Sequence, residues 1–155
     1  MTIYFLDASA LAKRYLHESG SPWVFSLTSP DNLHNIIVAE ITQVEVAAAI
    51  AARQRAPGGI SLRQRDSAVD LLAKHMNKEY KLVGMTPAIL DRAVRLTQTH
   101  RLRGYDSVQL ATALVAHELL LNAGLSGLVF VTADVDLVTA ATHEDLPVEN
   151  PLQHV

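Results

Sequence analysis

Residues 2–7 read Thr-Ile-Tyr-Phe-Leu-Asp, a short and almost wholly apolar run that ends in one carboxylate. Such runs are typical of parallel strands whose sheet is covered by helices on both faces. The run therefore predicts a central parallel strand. Because ligands bind beyond the carboxyl ends of strands in open α/β sheets, Asp7 is predicted to lie at the rim of such a crevice.

Outward from this strand, apolar runs alternate with segments of helical periodicity. The predicted further strands are 35–39, 81–85, 128–132 and an edge strand at 146–148. The predicted helices are 9–16, 21–27, 42–55, 61–78, 86–100, 105–121 and one following the strand at 128–132 through about residue 141. This alternation predicts an α/β fold, a single three-layer α/β/α domain over residues 1–155 with a central parallel sheet of four to five strands.

Composition limits the class of protein. Hydrophobic residues make up 49% and charged residues 19% of the 155 positions, which favours a globular domain over a disordered chain. The net charge of −3 excludes a strongly basic nucleic-acid binder, and the absence of cysteine excludes disulfides and thiolate metal sites. With neither a signal-peptide pattern nor an apolar run of the ~20 residues that a membrane span needs, we expect a cytoplasmic protein without membrane contact.

Four carboxylates stand alone in apolar surroundings. Glu45 is the one ionisable side chain in ITQVEVAAAIAA (41–52), and Asp106 is the one in GYDSVQLATALVA (104–116). Asp7 and Asp134 follow the two most apolar strands. Burying an isolated carboxylate costs free energy unless it is paired or binds a metal. Each of these four carboxylates is therefore predicted to have such a partner.

Each carboxylate also has a purely structural interpretation. Glu45 could form a capping box with Thr42, Asp7 could cap the first helix, and Asp106 and Asp134 could be first-turn acids favoured by the helix dipole. Helix starts and strand ends lie on the same edge of a parallel sheet, however, so all four are expected to converge. Two unit charges ~4 Å apart repel by about 4 kcal/mol at an effective dielectric near 20, and an all-oxygen cluster of this kind suits Mg²⁺ or Mn²⁺.

Four segments in this order, FLDASALAKRYL, ITQVEVAAAI, LRGYDSVQLATAL and FVTADVDLVTAA, resemble the PIN-domain family. They are most similar to its VapC-type toxin ribonucleases of type II toxin–antitoxin systems. The resemblance implies a PIN-like fold and Mg²⁺- or Mn²⁺-dependent cleavage of RNA. It also implies a homodimer that a small antitoxin protein silences. The family's acidic residues correspond to Asp7, Glu45, Asp106 and Asp134, and its neighbouring hydroxyl positions to Ser9 and Thr132.

Three further residues are assigned supporting roles. Asp136 forms a DxD pair with Asp134 and is interpreted as a first-turn or supporting acid. Arg14 and Arg103 lie near the acidic segments in sequence and are candidate contacts to the RNA backbone.

The predicted function is a metal-dependent endoribonuclease, the toxin of a toxin–antitoxin pair, and two alternatives remain open. An aspartate-based phosphatase also has an Asp after its first strand, but it needs a second acid two residues later, where this chain has Ser9. A catalytically silent PIN-like adaptor would act by protein contact alone. Retention of four clustered acids argues against the adaptor, because unneeded buried charges reduce stability. The absence of HExxH, GxGxxG, GxSxG and Walker patterns disfavours zinc peptidase, dinucleotide, hydrolase and P-loop chemistry.

Overall fold

The computed structural model describes residues 1–154, in which five strands alternate with helices. The strands are β1 (Ile3–Leu6), β2 (Asn35–Ala39), β3 (Lys81–Val83), β4 (Val129–Val131) and β5 (Val148–Glu149). The helices are α1 (Ala8–Tyr15), α2 (Ser21–Thr28), α3 (Thr42–Arg55), α4 (Leu62–Lys78), α5 (Pro87–Thr99), α6 (Gly104–Asn122) and α7 (Val135–His143). Short 3₁₀ helices lie at Pro30–Asn32 and Pro151–Gln153.

All strand pairs are parallel, in the order β3-β2-β1-β4-β5, so the strand that opens the chain lies in the middle of the sheet. Phe5 is in register with Ile37 of β2 and with Phe130 of β4. The expected parallel sheet of four to five strands is confirmed, with five. The last strand is displaced from the expected 146–148: Pro147 supplies only its carbonyl, to the Phe130 N–H, and ladder pairing begins at Val148.

Two hydrophobic cores lie on opposite faces of the sheet. Phe5 belongs to the core formed with α5, α6 and α7, whereas Leu6 belongs to the core formed with α1 to α4. Successive residues of a strand point to opposite faces, so a strand buried on both faces must be apolar throughout. The three-layer α/β/α architecture expected from the sequence is therefore confirmed.

Local capping sets several helix boundaries. Asp7 caps α1, so this helix begins at Ala8, one residue earlier than expected. Ser61 and Gln64 form a capping box at the start of α4, and Thr86 caps α5 with Pro87 in its first turn, both at the expected places. Within residues 1–154, no helix is long and apolar enough to cross a membrane.

Candidate functional site

Asp7 follows β1 directly and has both carboxylate oxygens bound. Its Oδ1 accepts from the Ala10 N–H at 2.9 Å and from the Ser9 hydroxyl at 2.8 Å, and its Oδ2 accepts from the Thr132 hydroxyl at 2.6 Å. The side chain therefore caps α1, as the structural interpretation expected. The same contacts hold the carboxylate in one orientation, with the residue only 3% exposed.

Burial raises the pKa of Asp7 from 3.8 to about 6, even though these three hydrogen bonds favour the ionised form. The charge of Asp106 raises this pKa further. Loss of hydration on burial is the largest cause of this rise, because it disfavours the charged form of the carboxylate. A nearby cation would favour the ionised form.

The end of β4 is joined to the end of β1 by hydroxyl groups. The Thr132 hydroxyl accepts from the Asp134 N–H at 3.1 Å, and the Ser9 hydroxyl accepts from the Ala133 N–H at 2.9 Å. Asp134 then caps α7 by accepting from the Leu137 N–H at 3.0 Å. Ser9 and Thr132, expected beside the acids, thus orient Asp7 and set the path of the chain into Asp134.

Asp106 lies in the first turn of α6 and couples the four acids electrostatically. Partial burial raises its pKa, the charges of Asp134 and Asp136 add to the rise, and Arg103 opposes it. The charge of Asp106 in turn raises the pKa values of Asp7 and Glu45. The carboxylates expected to converge therefore do influence one another through Asp106.

Glu45 is held by a residue that the sequence analysis did not single out. The buried Gln109 side chain donates from Nε2 to Glu45 Oε1 at 2.8 Å and to the Thr42 hydroxyl at 2.7 Å. Partial burial raises the pKa of Glu45, Gln109 lowers it, and Asp106 raises it. The capping-box interpretation of Glu45 is wrong, because Ile41 is the cap of α3 and makes no side-chain hydrogen bond there. A usable signal for Gln109 is its place one turn after Asp106, in a stretch of α6 that is mostly apolar.

Three of the acids line an open cavity of about 1050 Å³, whose apolar wall is formed by α5 and the start of α6. The acids are Glu45, Asp106 and Asp134. Asp106 and Asp134 also face a smaller depression of about 370 Å³, together with Asp136, Arg101 and Arg103. Asp136 is exposed in the first turn of α7. Arg103 lies at this acidic crevice.

Arg14 does not lie at the crevice. Its Nη1 donates to Glu79 Oε2 at 2.8 Å and to the Tyr80 hydroxyl at 2.6 Å, and its side chain is 9% exposed. The guanidinium is thus committed to contacts between α1 and the end of α4. These contacts give Arg14 a structural role in place of the predicted contact to RNA. The prediction rested on its nearness to Asp7 in sequence, which does not show that α1 packs against α4.

The four carboxylates are the donor set that a divalent cation would meet at this site. All four carboxylates offer oxygen, the ligand that Mg²⁺ and Mn²⁺ prefer. Within residues 1–154, the histidine and acidic groups whose ligand atoms all lie within 4.8 Å of one another do not include these acids. The carboxylates are therefore coupled but not closed into a cage. A cation that keeps several waters, as Mg²⁺ does, would need only some of these oxygens as direct ligands.

Several solved structures share the architecture of this chain. A toxin–antitoxin complex from Klebsiella pneumoniae aligns with a TM-score of 0.59 at 17% identity, over 96% of this chain and 97% of the other. The structure of FitAB bound to an IR36 DNA fragment aligns with a TM-score of 0.66 at 14% identity, over 97% and 96%. Mycobacterium tuberculosis VapC20, described as a sarcin-ricin loop cleaving toxin, aligns with a TM-score of 0.59 at 14% identity, over 90% and 95%.

No protein-family model and no curated protein sequence matches the chain. At these sequence identities, the likeness to solved structures concerns the fold. The PIN-like fold expected from the four segments is confirmed, over nearly the whole chain.

Proposed function

We propose that this chain is a metal-dependent endoribonuclease of the VapC type, the toxin component of a toxin–antitoxin pair. The observation that carries the proposal is the set of four coupled carboxylates at the carboxyl edge of the sheet. A fold shared with toxin–antitoxin proteins supports it, since one of those structures is of a toxin that cleaves the sarcin-ricin loop.

Asp7, Glu45, Asp106 and Asp134 would hold Mg²⁺ or Mn²⁺ in this proposal. A bound divalent ion lowers the pKa of an attacking water and shields the charge of the scissile phosphate. The chain itself supplies the orientation. Ser9 and Thr132 hold the carboxylate of Asp7, and Gln109 holds that of Glu45.

RNA would approach from the open side of the crevice, where Glu45, Asp106 and Asp134 are accessible. A net-negative site repels a phosphate backbone, so cations at its rim are needed to admit one. Arg103, which lies beside Asp106 and lowers its pKa, is the residue we assign to this role. An antitoxin is one proposed protein partner, in keeping with the toxin–antitoxin complex among the structural neighbours. A second copy of the chain, which the family resemblance implies, is the other.

A cleavage assay tests the proposal directly. Purified chain should cut RNA when Mg²⁺ or Mn²⁺ is added, and EDTA should abolish cleavage because the acids alone cannot activate water. Transfer, ribosomal and messenger RNA should be compared, with Asp7→Asn as the negative control. Metal-independent cleavage, or equal cleavage by Asp7→Asn, would point to a contaminating nuclease. Binding of a protein partner with no cleavage of any RNA would favour the adaptor alternative.

Replacing Gln109 by leucine should slow cleavage while leaving the fold intact. Leucine has a volume similar to that of glutamine and suits this buried position on α6, but it lacks the amide group that donates to Glu45 Oε1. We expect a loss of about 10- to 100-fold, the range for outer partners of metal ligands. The pKa of Glu45 should rise at the same time, because Gln109 lowers it in the native chain. Carboxyl NMR titration measures this pKa independently of activity.

Gln98→Leu is the matched control, since Gln98 is exposed on α5 and bonds its neighbour Thr97. It should leave both cleavage and the Glu45 titration unchanged. If Gln109→Leu cleaves RNA at the native rate, Gln109 does not position Glu45.

A further inference from the structure

A second group of ionisable side chains lies outside the four acids. His100, His143 and Glu144 offer ligand atoms that all lie within 4.8 Å of one another. His100 Nε2 is 3.2 Å from Glu144 Oε2, and His143 Nδ1 is 4.0 Å from the same oxygen. The two imidazole rings meet edge to face with centroids 5.2 Å apart. The proposed function uses none of these side chains.

These separations can be compared with a tetrahedral zinc site. Bonds of ~2.0–2.2 Å place neighbouring ligand atoms roughly 3.3–3.5 Å apart. The His100–Glu144 distance of 3.2 Å is already close to that value, and the His143–Glu144 distance of 4.0 Å exceeds it by a small margin. The side chain of His143 is 74% exposed and can rotate to shorten it. The side chain of His100 is only 9% exposed, so its position is held by the surrounding packing.

The backbone surroundings also favour a cation. His100 is the C-terminal cap of α5, and His143 and Glu144 are the last residue and the C-terminal cap of α7. Carbonyl groups at helix C-termini carry partial negative charge, so two such ends meet here. Glu118 binds Arg92 at 2.7 and 2.8 Å, which raises the pKa of Arg92 and offsets its positive charge. Arg92 also lies near enough to Glu144 for the charge of that carboxylate to raise this pKa further.

We propose that His100, His143 and Glu144 bind a transition-metal ion of the Zn²⁺ class, with water completing the coordination. Imidazole nitrogen suits Zn²⁺, Ni²⁺ or Cu²⁺, whereas Mg²⁺ prefers oxygen, so this site and the acidic crevice select different ions. Binding would link the ends of α5 and α7. It would also anchor the segment 100–103, which carries Arg101 and Arg103 to the depression shared with Asp106 and Asp134.

Titration of Zn²⁺ into the untagged full chain, followed by calorimetry, tests the site. Excess Mg²⁺ and the substitution Asp106→Asn reduce the contribution of the acidic crevice, and the comparison with His143→Ala in the same background isolates the signal of the proposed site. His143→Ala should weaken Zn²⁺ binding by at least about 10- to 100-fold. That range is the loss of affinity when a residue that supports a metal ligand is removed, and His143 would itself be a ligand. Because His143 is largely exposed, this variant should fold normally. Glu144→Gln should weaken binding as well, and Co²⁺ in place of Zn²⁺ should give a visible spectrum that His143→Ala changes.

His17→Ala is the matched control, because His17 is an exposed histidine in the loop after α1. It should leave Zn²⁺ affinity unchanged. Equal affinity of the native chain and His143→Ala, or an equal loss in His17→Ala, would overturn the proposal. Full displacement of Zn²⁺ by Mg²⁺ would overturn it too. RNA cleavage plays no part in this measurement, so its result stands apart from that of the proposed nuclease.

Discussion

Asp106→Asn should reduce RNA cleavage by at least about 10³-fold. A bound metal ion stabilises the charge of the transition state by several kcal/mol, and each loss of about 1.4 kcal/mol slows the reaction tenfold. The estimate assumes that Asp106→Asn removes most of this stabilisation. Asp106 is chosen because its charge acts on Asp7 and Glu45, while Asp134 and Asp136 act on it. Asparagine preserves the size of the side chain in the first turn of α6.

Two measurements separate this electrostatic role from general damage. Removing the charge of Asp106 should lower the pKa values of Asp7 and Glu45, which carboxyl NMR titration detects without any substrate. Asp91→Asn, an exposed substitution on α5, should leave cleavage and both pKa values unchanged. Native-rate cleavage by a rigorously purified Asp106→Asn protein would contradict the assignment of the site.

Asp7→Asn should make the metal-free protein more stable above neutral pH, although it removes cleavage. The pKa of Asp7 is about 6 in the folded chain, against an ordinary value of 3.8. The folded state therefore binds more protons than the unfolded state between these values, and stability falls as pH rises through this window. The full cost is about 3 kcal/mol once Asp7 is ionised in both states. Asparagine avoids this cost and keeps an oxygen to accept from the Ala10 N–H.

Denaturant unfolding in EDTA at about pH 8 and about pH 4.5 measures the effect. The gain in Asp7→Asn should be about 2–3 kcal/mol at the higher pH and should shrink as pH falls through 6, where Asp7 itself becomes neutral. Asp70→Asn, an exposed substitution on α4, is the control and should show no such pH-dependent gain. A loss of stability at both pH values would mean that the Asp7 side chain, neutral or ionised, matters chiefly as the cap of α1.

Much of the fold could be predicted because the signals for its elements are local. The apolar run before Asp7 can be a strand only if both of its faces are buried, and β1 does occupy the centre of the sheet. Helix α3 has the expected bounds, and Ser61, Thr86 and Asp7 cap the helices that follow them. Capping depends on residues three positions apart, so the sequence alone contains it.

Positions of long side chains could not be predicted in the same way. Arg14 is near Asp7 in sequence, yet it binds Glu79 and Tyr80 because α1 packs on α4. Gln109 was overlooked because its partner, Glu45, is 64 residues away. His100 and Glu144 are 44 residues apart, and only the packing of α5, α6 and α7 in one layer brings them together.

The sequence by itself determined the alternation of strands and helices and the place of one acid at the start of each of four helices. Periodicity and capping are short-range, and in a parallel sheet they suffice to put those acids on one edge. Tertiary structure decided which hydroxyl and amide groups hold each carboxylate, how strongly the acids act on one another, and which histidines meet. Those properties depend on burial and on distances between segments remote in the chain, and both arise only when the layers pack.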